Sequence, residues 1–229
     1  MSPVRSGGRP NGPVVQGNSL VSIRPAGPAD RADLYRVCLQ TGAAGQDASH
    51  LYEDADLLGQ VYAGAYLAMP DTMAFVACDD RGVAGYVLAA LDTAAFEAAC
   101  ERSWWPPLRA AHPLPVGRFA GAADTEAADT GDAALVELIH EPPVTPTWIV
   151  DRWPAHLHID LLPRLQGSGM GRTLMATMLD ALRDRDVPGV HLGVAAANER
   201  AIGFYRHLGF VEVAATDEAV TMGLLLRPA

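Results

Sequence analysis

The chain has 229 residues, 49% of them hydrophobic, which is enough for a sizeable core and points to one domain or one domain with a large insertion. Its 17 basic residues are all arginine and face 27 acidic ones, for a formal net charge of −10; that balance argues against a general nucleic-acid binder with a basic face. Acidity of this size serves solubility first and mildly favours a cationic partner.

Met1 to Asn18 carries arginines but no apolar core segment, so it does not read as a secretory signal, and its Gly, Pro and Ser content predicts a flexible tail. Leu20 to Arg24 alternates and predicts an edge strand stopped by Pro25. Pro28-Ala29-Asp30 opens a helix through Leu34, Val37 and Cys38, and a second helix is expected from about Ala55 to Met69. Met73 to Cys78 and Val83 to Leu91, joined by Asp79-Asp80-Arg81-Gly82, predict a β-hairpin.

Thr93 to Trp153 breaks this rhythm. It holds all four tryptophans (Trp104, Trp105, Trp148, Trp153), several Pro clusters and an acidic, alanine-rich run from Ala122 to Asp132, with one helical patch from Thr130 to His140. It reads as an irregular insertion between two sheet strands, at about residues 93–153 of a single domain spanning 19–229. Its tryptophans could wall a ligand pocket or pack the insertion onto the domain. Asp124, Glu126, Asp129 and Asp132 could draw in a cationic amine or simply be solvated.

The last third is regular: a strand from His156 to Leu162, a helix from about Gly171 to Asp184, a strand from Val190 to Ala195, a helix from Glu199 to Leu208 and a terminal hairpin. Strands alternating with helices give a mixed α/β sheet. The three cysteines, Cys38, Cys78 and Cys100, are widely spaced, odd in number and not in a metal-ligand pattern, so they read as free thiols in a reducing cytoplasm with no metal implied. No apolar run approaches the roughly 18 residues of a membrane span.

The chemistry concentrates in Leu161-Leu162-Pro163-Arg164-Leu165-Gln166-Gly167-Ser168-Gly169-Met170-Gly171-Arg172. A strand, a glycine-rich turn and an amphipathic helix leave backbone N–H groups exposed at a helix N-terminus, where the helix dipole adds positive potential. Such a turn predicts a phosphate or pyrophosphate site. A P-loop needs a lysine that this chain lacks, and a dinucleotide fingerprint starting at Gly167 would need Gly where Arg172 stands.

The run Gln166-Gly167-Ser168-Gly169-Met170-Gly171 resembles the acyl-CoA signature of the GNAT acetyltransferases, (Gln or Arg)-x-x-Gly-x-(Gly or Ala). Asn198 and the stretch Ala201-Ile202-Gly203-Phe204-Tyr205-Arg206-His207-Leu208-Gly209-Phe210 resemble the family's second motif, in the expected order and one strand later. Leu157-His158-Ile159-Asp160-Leu161-Leu162-Pro163 is similar to bacterial relatives of the acetyltransferase-like C-terminal domain of O-GlcNAcase. The animal form of that domain is regarded as a pseudo-enzyme without the intact CoA turn, which this chain keeps.

The resemblance implies a GNAT-type acyl-CoA N-acyltransferase fold, splayed at the strand bearing Asp160, and acetyl-CoA as cofactor. It implies that backbone amides from Gly167 to Arg172 hold the pyrophosphate and that the backbone at Leu161 and Leu162 pairs with the pantetheine. Asn198 would cap its helix and contact the cofactor, and Tyr205 would protonate the leaving thiolate. His156, His158 and Asp160 alternate and share one strand face. If that face is the acceptor pocket, Asp160 or His158 is the candidate base, directly or through water; if it is the opposite face, they are packing or supporting residues. Several family members bear a base nearer Ala155, where this chain has no ionisable group, a departure from the pattern for direct base catalysis.

The expected reaction is direct transfer of acetyl to a primary amine, on a small molecule or a protein lysine, in a ternary complex. No nucleic-acid or membrane partner is implied, and oligomeric state stays open, a homodimer included. A non-catalytic acetyl-CoA-binding or interaction module is the alternative.

Overall fold

The computed structural model describes residues 14–16, 19–114 and 131–226. Its strands are β1 (Val14–Gln16), β2 (Ser19–Pro25), β3 (Thr72–Asp79), β4 (Gly82–Ala90), β5 (Ala155–Leu161), β6 (Gly189–Ala195), β7 (Val211–Ala215) and β8 (Ala219–Leu225). Its helices are α1 (Arg31–Leu39), α2 (Leu57–Tyr62), α3 (Thr93–Ser103), α4 (Trp105–Ala111), α5 (Gly131–His140), α6 (Thr147–Val150), α7 (Met170–Arg183) and α8 (Glu199–His207). The strands lie in the order β1-β2-β3-β4-β5-β6-β8-β7. Seven of them, β2 to β8, form the mixed sheet, with β1 paired along the edge of β2.

The stretch expected as a tail thus contributes a strand, Val14–Gln16, antiparallel to β2 in the register Val14↔Val21. The rest of residues 1–18 lies outside the described residues. β3 and β4 form the expected hairpin, with Gly82 at φ 101° in the turn. β4 is central and buried along nearly its whole length, as a strand covered on both faces must be.

All pairings are antiparallel except β5 with β6, which touch only at Ala155↔Val190 and His156↔His191. Beyond His156 the two strands part, and the sheet opens into a wedge. α1 packs on β4 and β5 from one face, and α7 packs on β3, β4 and β5 from the other. The buried stripe of α7 is Leu174, Met175, Met178, Leu179 and Leu182, spaced for one helix face.

Two expectations need correction. The helix expected over 55–69 breaks at Ala63 into α2 and a 3₁₀ turn, Gly64–Leu67. Just after the break, a Cβ on Gly64 would crowd the Tyr35 hydroxyl and lie 2.7 Å from the Trp104 ring, so only glycine fits there. The segment between β4 and β5 is not irregular: its described part carries α3, α4, α5 and α6. Pro106 and Pro107 stand in the first turn of α4, where a missing N–H costs nothing. Asp124, Glu126 and Asp129 lie outside the described residues.

Candidate active site

A cleft of about 790 Å³ passes through the wedge between β5 and β6 and opens on both faces of the sheet. Because Leu157, Ile159 and Leu161 alternate with His158 and Asp160, β5 lends one side chain set to each face. The α7 half is lined by Gln166, Gly167, Gly169, Gly171 and Arg172 together with Asn198 and Arg200. The opposite half is lined by Cys38, Thr41, Tyr52, Leu58 and Tyr62 around His158 and Asp160. Tyr205 borders the same cleft.

The glycine turn adopts its shape for steric reasons. Gly167 and Gly169 stand at φ 71° and 84°, conformations that cost an L side chain, and Gly169 leads directly into α7. In the first turn of α7 the amides of Gly171 and Arg172, both at the cleft, have no intrahelical carbonyl to bond, while the Met170 N–H donates to Ser168 Oγ at 3.4 Å. At Gly171 a Cβ would lie 3.2 Å from Leu161 Cδ1, which keeps the helix close to the end of β5. Gln166 braces this corner: its Nε2 donates to the Leu161 carbonyl at 2.7 Å, and its Oε1 accepts from Arg200 Nη1 at 2.9 Å. Asn198 caps α8, its Oδ1 accepting from the Ala201 N–H at 3.1 Å. Two helix N-termini and two arginines thus make this half electropositive.

Three residues expected at the cofactor do not line the cleft. Leu162 spends its N–H on the Ala84 carbonyl at 2.8 Å and buries its side chain. Its backbone therefore faces β4, while the backbone of Leu161 faces the wedge. The Ser168 hydroxyl donates to the Leu165 carbonyl at 2.5 Å, and the Met170 side chain points into the core.

On the other half, Asp160 lies opposite Tyr86 in the β4–β5 register, and the Tyr86 hydroxyl donates to its Oδ2 at 2.5 Å. Burial raises the Asp160 carboxyl above its ordinary pKa, and hydrogen bonding from Tyr86, with Thr41 beside it, offsets part of that rise. Burial brings the His158 imidazole down to about 4, with its ring against Tyr62 and Tyr66. Tyr205 is pushed upward first by burial and then by the Asp160 charge, so its phenol is protonated at neutral pH.

His156, on the same face, is fully engaged elsewhere. The Thr93 hydroxyl donates to the Pro154 carbonyl at 2.7 Å, so His156 Nδ1, 2.9 Å away, must carry the hydrogen toward Thr93 Oγ1. Its Nε2 then accepts from the Tyr66 hydroxyl at 2.6 Å. Burial holds this ring neutral, its pKa well below the ordinary value.

Sequence reasoning missed Tyr52, Tyr62, Tyr86, Thr41 and Arg200. Each reaches the site through tertiary contacts that no local pattern encodes. None of the four tryptophans lines the cleft. Trp104 donates Nε1 to the Gln60 carbonyl at 3.0 Å, and Trp153 lies over the sheet, filling the space above Gly189 and Gly223. Trp105 borders a separate hollow of about 710 Å³ beside α3, and Trp148 is exposed.

The model of the Acetyltransferase (GNAT) family matches residues 136–210, the stretch from α5 through both cofactor-side helices. The crystal structure of SsHAT is 35% identical, with a TM-score of 0.78 and a match covering 91% of this chain and 99% of that one. Protein O-GlcNAcase of Rattus norvegicus is 25% identical over 202 residues, covering 88% of this chain and 21% of the rat protein; the chain thus spans about a fifth of that relative. The mycothiol acetyltransferase of Nocardiopsis dassonvillei is 50% identical over 48 residues, covering 21% of this chain and 14% of that enzyme. With the splayed strands, the positive-φ glycine turn and both helix N-termini on one cleft, these matches identify the chain as a member of the GNAT family of acetyl-CoA-dependent N-acetyltransferases.

Proposed function

We propose that the chain transfers acetyl to a primary amine by direct attack in a ternary complex, with Asp160 as base and Tyr205 as acid. The observation that carries this reading is the two-ended cleft, which has an electropositive half at α7 and α8 and a carboxylate on the other side of β5.

The residues present fit acetyl-CoA. A Cβ on Gly167 would meet nothing within 4 Å, so the turn is open to a ligand there, and the amides of Gly171 and Arg172, with the Arg172 and Arg200 guanidiniums, suit a pyrophosphate. When bound, acetyl-CoA supplies the thioester carbonyl that the amine attacks. The Leu161 N–H faces the wedge and can stabilise negative charge on an oxygen there. Asp160 attracts the ammonium form of an acceptor, and its raised proton affinity suits it to take the proton. The Tyr205 hydroxyl gives its proton to the sulfur as the C–S bond breaks; burial keeps the phenol protonated until that moment, although the same raised pKa makes it a weaker acid than a free tyrosine.

His158 is the weaker base, since a ring at about pKa 4 holds a proton poorly against an amine. Thr41 and the two tyrosines Tyr52 and Tyr62 complete an acceptor half whose described lining has Asp160 as its one carboxylate. The free thiols Cys38, Cys78 and Cys100 fit a cytoplasmic setting. Among the described residues no helix is long and apolar enough to cross a membrane.

The test is turnover of acetyl-CoA on a panel of an alkylamine, an arylalkylamine, an amino sugar and a lysyl peptide. Asp160→Asn and Tyr205→Phe are each expected to lower kcat by about 10²–10⁴ with unchanged acetyl-CoA affinity. Wild-type turnover that survives both substitutions would remove these residues from the chemistry.

A further inference from the structure

We infer that Asp132, together with Gly131, is a positioning residue for the acceptor half of the cleft, through which the β4–β5 insertion controls acceptor binding without entering the site. This inference rests on the acetyl-transfer reading above. The Asp132 carboxylate accepts two backbone N–H groups from the α1–α2 connection, Glu53 to Oδ1 at 3.1 Å and Asp54 to Oδ2 at 3.0 Å. The Gly131 N–H donates to the Leu51 carbonyl at 3.1 Å. The three bonds bracket Tyr52, which lines the cleft.

Contact enforces the same placement. A Cβ on Gly131 would stand 2.5 Å from Tyr52 Cε1 and 2.9 Å from the Leu51 carbonyl, so only glycine lets the two backbones approach with the tyrosine between them. The anchor is stiff, because α5 buries Leu135 and Ile139 in the main core and packs against α2. The anchored segment is otherwise held mainly at its ends, by the Ala48 N–H on the Leu39 carbonyl and the Leu51 N–H on the Ala48 carbonyl, while Ser49, His50, Leu51, Glu53, Ala55 and Asp56 are exposed. It also leads straight into α2, with the Leu57 N–H on the Asp54 carbonyl at 3.2 Å, and α2 supplies Leu58 and Tyr62 to the same wall. Hydrogen bonds to a carboxylate are stronger than neutral ones, so Asp132 adds a firm anchor to a wall that α2 also fixes by burying Leu57 and Leu58 and packing on α1. No atom of Asp132 or Gly131 lines the cleft, so neither is a catalytic residue.

The experiment is steady-state kinetics of the full chain with the panel amine of highest turnover, comparing wild type, Asp132→Asn and Asp132→Ala. Acetyl-CoA affinity and thermal stability are measured in parallel. Asp132→Ala is expected to raise the acceptor KM about tenfold, with kcat and acetyl-CoA Kd within about twofold of wild type. Asp132→Asn, which keeps one accepting oxygen, should fall between. Gly131→Ala, which crowds Tyr52, should raise the acceptor KM in the same selective way and keeps the test available if Asp132→Ala does not fold. An unchanged KM in the folded variants overturns the inference, as does a joint fall of kcat, acetyl-CoA affinity and stability. A wild type inert with every amine overturns the functional reading and this inference with it, an outcome distinct from a working enzyme indifferent to Asp132.

Discussion

Asp160 and the histidines beside it show how far one strand can be read residue by residue. Alternation along β5 put His156, His158 and Asp160 on one face, which is legible because the strand period is two. What the alternation could not reveal is the partner of each group. Tyr86 lies 74 positions from Asp160 and meets it only through the β4–β5 register. Thr93 and Tyr66 reach His156 by the same kind of long-range route and make it a bracing residue, while His158 is left bordering the cleft. This row has a pH consequence. A histidine whose folded pKa is depressed stabilises the fold above its unfolded value of 6.5, and that contribution fades as pH falls toward the folded value, about 4 for His158. Between pH 7 and 5 His158 should account for about 2 kcal/mol of lost stability. Urea unfolding of wild type and His158→Gln at both pH values checks this; equal losses in the two proteins would show that His158 does not titrate on unfolding.

The elements were legible wherever local chemistry and packing agree. The β3–β4 hairpin, α7, β6, α8 and the terminal hairpin stand within a residue or two of where their periodicity and caps place them. Agreement failed where a glycine or proline has a tertiary reason. Pro106 and Pro107 look like breakers but begin α4, and the helical pattern breaks at Ala63, directly before Gly64 packs closely on Tyr35 and Trp104. The wedge itself was expected only through family resemblance. Its structural cause is that β5 and β6 pair at two positions, while β4 holds β5 along its whole length. Gly85 belongs to that hold, since a Cβ there would stand 2.8 Å from the Asp160 carbonyl oxygen as well as against Leu161. Gly85→Ala should therefore cost about 1–3 kcal/mol of stability and weaken acetyl-CoA binding by displacing the end of β5. Thermal unfolding and a binding isotherm measure both, and a variant as stable as wild type would mean that β5 does not depend on this approach.

At the scale of the whole molecule, the cleft divides the work between distant parts of the chain. The cofactor half comes from one compact stretch, β5 to α8, which is why two sequence motifs announce it. The acceptor half is assembled from α1, the α1–α2 connection, α2 and β5, braced by α5 from the insertion, and no contiguous pattern records it. The insertion's tryptophans drew notice in the sequence, yet its link to the site runs through Gly131 and Asp132. The central claim, that acetyl-CoA occupies the α7 half at the glycine turn, is tested most directly by calorimetric titration of wild type and Gly169→Trp with acetyl-CoA. Gly169 holds φ 84° at the head of α7, so the substitution both strains and fills the cradle. The account predicts micromolar binding by wild type and none by a folded Gly169→Trp variant. Wild-type protein that does not bind, or a variant that binds as tightly as wild type, would contradict it.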